Sequence, residues 1–238
     1  MSDYGLVTGI NRNIQFDTSR RMPGLREHDY AYEANWTEVE SHAGFGGFVY
    51  PISRSYTISA IAIRPRTESF AIGYTDNLVG VTGYIGGIAQ NIPRTIEYAI
   101  YSLDINYTHP IPAWGLMTYD GNGNVIFNSD INYLKIVDII DINRSKLMNY
   151  ERVTINHNVL NPFYIIPNNN YHFHIYHSSD HTIYSIVFGT VGIRKISATS
   201  AELGAFQIFG TGKYQGWPPQ YDDRFFLPNP FRVAVCVL

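Results

Sequence analysis

The sequence predicts an all-β protein made of two β-sandwich-like domains related by internal duplication. Three observations lead to this prediction. Asp-Gly and Asn-Gly turn signals separate apolar runs, most clearly at residues 120–123, and such dipeptides accept the positive φ angles of tight hairpins. Short runs rich in Val, Ile, Tyr and Phe recur between turn signals, which favours strands over helices. The beginning of the chain also matches a stretch near its middle.

The repeat has a matching start and a matching end. Residues 4–18 match residues 114–129, with Tyr-Gly-Leu-Val-Thr against Trp-Gly-Leu-Met-Thr and Asn-Ile-Gln-Phe-Asp-Thr against Asn-Val-Ile-Phe-Asn-Ser. Residues 92–103 align without gaps to residues 227–238, and each segment is a Pro-containing turn followed by an apolar run. Matches at both ends, in the same order, indicate two related units that each open with a hairpin and close with a strand.

The matches set the predicted domain boundaries. Residues 1–103 form the first domain, with an irregular insertion near residues 19–47. Residues 104–113 contain two prolines and are expected to act as a short, stiff linker. Residues 114–238 form the second domain.

The remaining apolar runs are assigned by periodicity and composition. In residues 131–142, the spacing of the apolar residues does not distinguish a helix from a strand, but the Val and Ile content favours a strand. The Gly-rich residues 83–90 fit either a loop or a bulged strand. Only residues 198–205 have a short helical composition. Further strands are expected at residues 48–63, 70–74, 96–103, 153–166, 171–177, 183–196 and 205–209.

Composition excludes several classes of partner and compartment. Charged residues are 16% of the chain, below the roughly 25% usual in globular domains, and the net charge of −3 leaves no basic footprint for nucleic acid. The single cysteine, Cys236, has Val and Leu neighbours and is expected to be a buried, inert thiol. No apolar run reaches the roughly 18 residues of a membrane span, and no leader pattern opens the sequence. We therefore expect that the protein is synthesised in a cytoplasm and does not insert into a membrane.

Two histidines raise the question of a metal site. His172 and His174 lie two residues apart in a predicted strand and therefore share one face. Such a pair can begin a metal site, but no Asp, Glu or Cys stands at a spacing that supplies a third ligand. The alternative is a polar sheet face with the intervening aromatic residues directed inward. We predict no metal and no cofactor.

The positions of the carboxylates in the sequence do not indicate a catalytic site. Asp138 with Asp141, or Asp222 with Asp223, could serve a glycosidase only at defined spatial separations, which the sequence does not supply. The nucleophile elbow and the phosphate-cradling loop are both missing from the sequence. We therefore predict a protein that is not an enzyme, with no catalytic residues.

An aromatic, Pro-containing loop is expected at residues 210–223. Its Tyr214, Trp217 and Tyr221 are the candidate contacts for a partner protein or a glycan, because planar rings fill protein pockets and stack on sugar faces. The alternative is that Trp217 folds back and covers the end of the sandwich core.

The two hairpins carry a resemblance to a known family. Residues 114–129, and residues 4–18 in a looser form, resemble the opening of small tail-tip-associated structural proteins of tailed bacteriophages. The shared motif is Tyr or Trp followed by Gly-Leu, then a Gly-containing turn, then Phe followed by Asp or Asn and by Ser or Thr. Members of that family carry the motif once, whereas this chain carries it twice. The resemblance implies a β-rich virion protein near the tail tip, and it transfers no active site.

Together these observations give a functional expectation. The protein is expected to be a non-enzymatic structural component of a bacteriophage virion, in the tail tip or tail fibre region, made in the host cytoplasm. It would act by assembly with other tail proteins and with copies of itself, through residues 27–47 and 214–221. The alternative is a receptor-binding module that recognises a host surface glycan or outer-membrane protein. A glycan-degrading enzyme is a third, weaker hypothesis.

Overall fold

The structure is a computed structural model, and the regular secondary structure of its described residues is almost entirely β-strand, which confirms the all-β prediction. It describes residues 6–8, 14–17, 21–32, 37–39, 47–52, 54–65, 70–74, 83–88, 96–108, 115–149, 151–167, 171–177, 183–215, 224–227 and 229–238. The elements within these residues are, in chain order, β1 (Leu6–Thr8), β2 (Ile14–Asp17), β3 (Gly24–Ala31), β4 (Thr37–Val39), β5 (Gly47–Ile52), β6 (Ala60–Arg64), β7 (Phe70–Tyr74), β8 (Gly83–Ile88), β9 (Ile96–Ser102), β10 (Met117–Tyr119), β11 (Val125–Asn128), β12 (Lys135–Ile142), α1 (Arg144–Met148), β13 (Val153–Asn156), β14 (Phe163–Ile165), β15 (Tyr171–His177), β16 (Ile183–Ser197), β17 (Ser200–Gln215), β18 (Arg224–Phe226) and β19 (Phe231–Val237).

Two large antiparallel sheets make a sandwich. Sheet I has six strands in the order β12-β19-β14-β6-β9-β3. Sheet II has nine strands, with β13-β17-β16-β7-β8-β5-β4 in order and with β15 paired to β16 and β18 paired to β15. The main core lies between the sheets and joins residues of both. Its members include Ile61, Ile63, Ile96, Tyr98, Ile100, Tyr164, Val233 and Val235 from sheet I, and Ile52, Ile155, Val191, Ile193, Ala201 and Leu203 from sheet II.

Sheet I is closed at one end by a seam between its two edges. Strand β3 and the residues just before β12 belong to opposite edges of the sheet, yet Gly24 forms an antiparallel bridge with Tyr133. The Leu25 N–H also donates to the Asn132 carbonyl oxygen at 2.6 Å. The seam satisfies backbone groups that would otherwise be exposed edge donors and acceptors. It also forces the sheet to curl, because its two edges must meet.

Both sheets run continuously through the two predicted halves. The half before the predicted linker supplies β3-β9-β6 to sheet I and β5-β8-β7 to sheet II, and the half after it supplies β14-β19-β12 and β16-β17-β13. The halves meet where Ile63 pairs with Tyr164 and where Ala71 pairs with Ile193. The two sandwich-like halves are therefore hydrogen-bonded to each other edge to edge rather than hanging on the linker.

The strand registers repeat between the halves. The β3–β9 ladder is interrupted just after Leu25, and the β12–β19 ladder is interrupted just after Ile136, at the same point of each ladder. By these registers, Ile96 in the first half is equivalent to Phe231 in the second half, and the sequence match aligns the same two residues. The β1–β2 and β10–β11 hairpins each have one register shift, which lies just before Thr8 and just before Tyr119. The registers therefore make Thr8 equivalent to Tyr119, whereas the sequence match aligns Thr8 with Thr118. Duplication of one unit would produce this arrangement, and the common origin of the halves stays a prediction.

The region predicted as an irregular insertion, residues 19–47, differs from the prediction. Its described part contains strands β3 and β4. Strand β3 is paired along its length with β9. It has few buried side chains, so its sequence lacks the apolar alternation that marks a strand. Tertiary pairing therefore overrides local composition here.

The predicted linker is packed where the structure describes it. The Tyr107 side chain is buried, and its hydroxyl donates to the Met22 carbonyl oxygen at 2.9 Å. The Asn128 side-chain amide donates to the Tyr107 carbonyl oxygen at 3.0 Å, and the Arg21 guanidinium lies 5.0 Å from the centre of the Tyr107 ring. Residues 104–108 are thus held against the seam and are not a free spacer. Residues 109–113 lie outside the described residues.

Other local predictions have mixed outcomes. Residues 135–142 form a strand and Cys236 is buried, both as predicted, and burial raises the pKa of the Cys236 thiol to about 12. The helical composition at residues 198–205 gives a wrong prediction, because Ala198 and Thr199 only turn the chain between the long, paired strands β16 and β17. Helix α1 was not predicted, and the Asn143 side chain caps it by accepting the Ser145 N–H.

The seam predicts a specific sensitivity at Gly24. A Cβ atom at this position would lie 2.8 Å from Ile131 Cγ2 and would also clash with the end of Ile105. We expect Gly24→Ala to lower the free energy of unfolding by about 1–3 kcal/mol, measured by urea denaturation. The matched control is Lys135→Ala, at the equivalent and exposed position of β12, which should change stability little. Equal stabilities of the two variants would contradict this account of the seam.

Candidate functional site

One face of sheet I is concave. His28 on β3 and Phe163 on β14 are three strands apart, which would separate them by about 14 Å in a flat sheet. Their ring centres are instead 5.8 Å apart in an edge-to-face contact. The deep part of this face, near the seam, is filled by apolar and small side chains, among them Ala62, Ala99, Tyr101, Phe163, Cys236, Leu25 and Ile136.

A polar cluster occupies the concave face away from the seam. Glu97 accepts a hydrogen bond from Arg64 Nη1 at 2.6 Å, and His28 Nε2 lies 2.8 Å from the other Glu97 oxygen. Arg64 also stacks over the ring of Phe163, 4.2 Å from its centre. The Glu97 side chain is only 12% exposed, because Arg64 and His28 stand on either side of it. The fully buried Phe163 thus forms the floor of a concave patch, and three polar side chains form its walls.

An aromatic row borders this polar cluster. His28, Tyr30 and Tyr32 alternate along one face of β3 and of the residue that follows it, with ring centres 6.5 Å and 6.0 Å apart in turn. Tyr30 pairs directly with Glu97 across the β3–β9 ladder. Tyr30 is 42% exposed and Tyr32 is 53% exposed, so their rings face solvent. The row and the cluster together form the mouth patch: His28, Tyr30, Tyr32, Arg64 and Glu97.

The second half has different side chains at the same places. By register, Ile139 and Asp141 stand where the first half has His28 and Tyr30, and Arg232 stands where it has Glu97. Asp141 and Arg232 form an ion pair at 2.7 Å, with both side chains more than half exposed. The same strands are therefore built without an aromatic row, which indicates that the fold does not require one.

A second surface feature is an apolar groove beside the hairpin β10–β11. Its cavity volume is about 690 Å³. Its lining includes Met22, Leu116, Phe127, Ile131, Ile136 and Val237. The groove is thus bounded by the hairpin β10–β11, by the seam and by the start of β12.

A network around Glu27 is structural. Glu27 accepts hydrogen bonds from Arg54 at 2.5 and 2.7 Å, from the Tyr98 hydroxyl at 2.6 Å and from the Tyr56 hydroxyl at 3.1 Å. The hydrogen bonds from Arg54 lower the pKa of Glu27 to about 2, against the effect of desolvation. All four polar groups are used within the protein, so the network fixes β3 against β9 rather than awaiting a ligand.

The residues singled out from the sequence lie elsewhere. Tyr214 belongs to strand β17, where its backbone pairs with Tyr184, and not to a loop as predicted. The cause is that β17 continues six residues past residue 209 against β16. Trp217 and Tyr221 lie outside the described residues. His172 and His174 are described in backbone only, on β15 as predicted.

Sequence reasoning missed the mouth patch for a physical reason. Its members come from three strands, and Glu97 is 33 residues from Arg64 and 69 from His28. Only the strand register brings them together. The one local signal was His-x-Tyr-x-Tyr, an alternating aromatic pattern at residues 28–32 inside a stretch assigned as irregular.

No protein-family model, no curated protein and no solved structure matches the chain. Within the described ranges, His, Cys, Asp and Glu do not gather in groups of three or more that could hold a metal ion. In the same part of the chain, every helix is too short or too polar to cross a membrane.

The Glu27 network predicts an acid-sensitive contribution to stability. Because the pKa of Glu27 is about 2 in the folded protein and near 4.3 when unfolded, the contribution is complete above about pH 4.3 and is lost as the pH falls toward 2. We expect Glu27→Gln to cost about 1–3 kcal/mol at pH 7 and less at pH 3, measured by denaturation at both values. The matched control is Asp138→Asn, at the equivalent but exposed position of β12. A cost that does not shrink at low pH would contradict this assignment.

Proposed function

We propose that this protein is a non-enzymatic structural component of a bacteriophage virion, in the tail tip or tail fibre region, acting by protein–protein assembly. The proposal rests first on the resemblance of the two hairpins to small tail-tip-associated proteins. The observation that carries the assembly mechanism is the apolar groove, which adjoins the second of these hairpins.

The first half suggests what fills such a groove. There, Ile105 packs against Gly24, and Tyr107 hydrogen-bonds to Met22. By register, Lys135 is the counterpart of Gly24 in the second half and lines the open groove. We infer that the groove receives a segment of another tail protein that offers an aliphatic and an aromatic side chain, as Ile105 and Tyr107 do.

Burial of such a segment would supply the driving force for assembly. Each fully buried large apolar side chain contributes about 1.5–3 kcal/mol, before the cost of ordering the partner. Leu116 on the groove rim is 55% exposed and is therefore accessible to a partner that occupies the groove.

The location is tested by electron microscopy of purified particles labelled with an antibody to this protein. Label at the tail tip or fibres is expected. Label on the capsid would overturn the tail position and retain a virion role. Intact, accessible particles without any label would overturn the virion role itself.

The groove mechanism is tested by Leu116→Asp. Because Leu116 is exposed, the variant should fold with unchanged stability, while the charge placed at the groove rim should reduce its incorporation into particles at least tenfold by immunoblot. The matched control is Leu160→Asp, at a 73% exposed leucine outside the groove. Incorporation of both variants at wild-type levels would exclude the groove as the assembly surface.

A second candidate function is favoured by the mouth patch. A receptor-binding module of the same particle, recognising host surface glycan or outer-membrane protein, would need exposed aromatic rings beside fixed polar groups, and the mouth patch supplies both. The groove and the mouth patch share no described lining residue, so one protein could both assemble and attach.

A further inference from the structure

We propose that the mouth patch is a binding site for a neutral pyranose sugar, stacked on Tyr30 and Tyr32 and hydrogen-bonded to Glu97. This inference rests on the receptor-binding form of the proposed function and names its ligand class and its site. It is carried by the geometry of the rings, the remaining capacity of the Glu97 carboxylate, the charge balance of the patch and the contrast between the two halves.

The two tyrosine rings provide a stacking surface. They are 6.0 Å apart with an angle of 38° between their planes, so they form a shallow, slightly bent platform. Both rings face solvent, so they are not part of the hydrophobic core. The apolar C–H face of a pyranose ring packs on such a platform, because aromatic side chains combine a large apolar face with polar tips.

The Glu97 carboxylate stands beside this platform with acceptor capacity left. An ionised carboxylate accepts about four hydrogen bonds. Arg64 and His28 each use one, one on each oxygen. The two contacts also fix the orientation of the carboxylate, so a ligand would not have to order it. The remaining positions suit sugar hydroxyl groups, which donate hydrogen bonds to a carboxylate.

The charge balance selects a neutral ligand. The negative charge of Glu97 is matched by Arg64, which also stacks on Phe163. In the second half, Asp141 is matched by Arg232. The imidazole of His28, which can also carry a positive charge, contacts Glu97 as well. Among the described residues of this face, no cation is therefore left over for the carboxylate of an acidic sugar, and Glu97 would repel such a carboxylate.

The second half acts as an internal control for the inference. Its strands have the same order and register, but Ile139 and Asp141 replace the aromatic residues. The same strand order and register form with either set of side chains, and the aromatic row is present in the first half only. A binding role explains this asymmetry, whereas a folding role would apply to both halves.

The test is sugar binding by the full chain, measured by saturation-transfer NMR and by isothermal titration. The probes are the neutral methyl glycosides of galactose, glucose and N-acetylglucosamine, with the methyl glycoside of glucuronic acid as the anionic comparison. We expect at least one neutral glycoside to bind, and Tyr30→Ala and Tyr32→Ala each to weaken its binding about tenfold. The matched controls are Ile139→Ala and Asp141→Ala, which should bind as the wild type does.

Each outcome decides the inference. No binding of any neutral glycoside, preference for the glucuronide, or equal binding by the tyrosine variants and the controls would overturn it. Unfolding curves show whether each variant folds. Tyr30→Phe keeps the stacking face and should keep sugar binding, and it is the variant to measure if an alanine variant proves unstable. If the antibody labels particles but the protein binds no sugar, only the sugar-binding inference is overturned. If the protein binds sugar but the antibody labels no particles, the virion proposal is overturned and the sugar site is supported.

Discussion

The closure of sheet I at the Gly24–Tyr133 seam is the constraint on which the rest of the structure depends. Six strands whose edges must meet cannot stay flat, so the sheet curls, and one of its faces becomes concave. The curl brings His28 within contact distance of Phe163 across three strands. It also turns the opposite face outward, where its side chains can pack against sheet II and complete the sandwich core. The absence of a side chain at Gly24 allows Ile105 and Ile131 to close over the seam.

Two halves with the same strand order can differ in their side chains at a surface. The two halves repeat the strand order and the interrupted ladders, yet they differ at the open end of the concave face. One half places Tyr30 opposite Glu97, and the other places Asp141 opposite Arg232. Both arrangements satisfy the same backbone pairing. The backbone pairing at these positions therefore forms with either set of side chains, and such positions can carry a binding surface.

Much of this fold could be predicted from the sequence, and the failures have physical causes. The gapless match of residues 92–103 to 227–238 predicted two equivalent strands, and their registers agree with it. Local patterns failed where long-range pairing decides the outcome. Strand β3 was missed because an edge strand with polar side chains has no apolar period. The mouth patch could not be predicted at all, since Arg64 and Glu97 meet only through the register of β6 and β9.

The groove and the mouth patch differ in the chemistry that they offer, and the difference favours separate roles. The groove is lined largely by apolar side chains, so occupancy by a partner protein would be driven by desolvation and would be slow to reverse. The mouth patch presents a few rings beside a fixed and balanced ion pair, which suits weak, specific contact with a hydroxyl-rich ligand. The tail component proposed above would need permanent contacts toward the particle and reversible, multivalent contacts toward the host. Weak single sites become effective when many copies act together. The placement of the two surfaces on one curled sheet, with the seam beside the groove and the open end beside the aromatic row, gives a physical basis for both requirements.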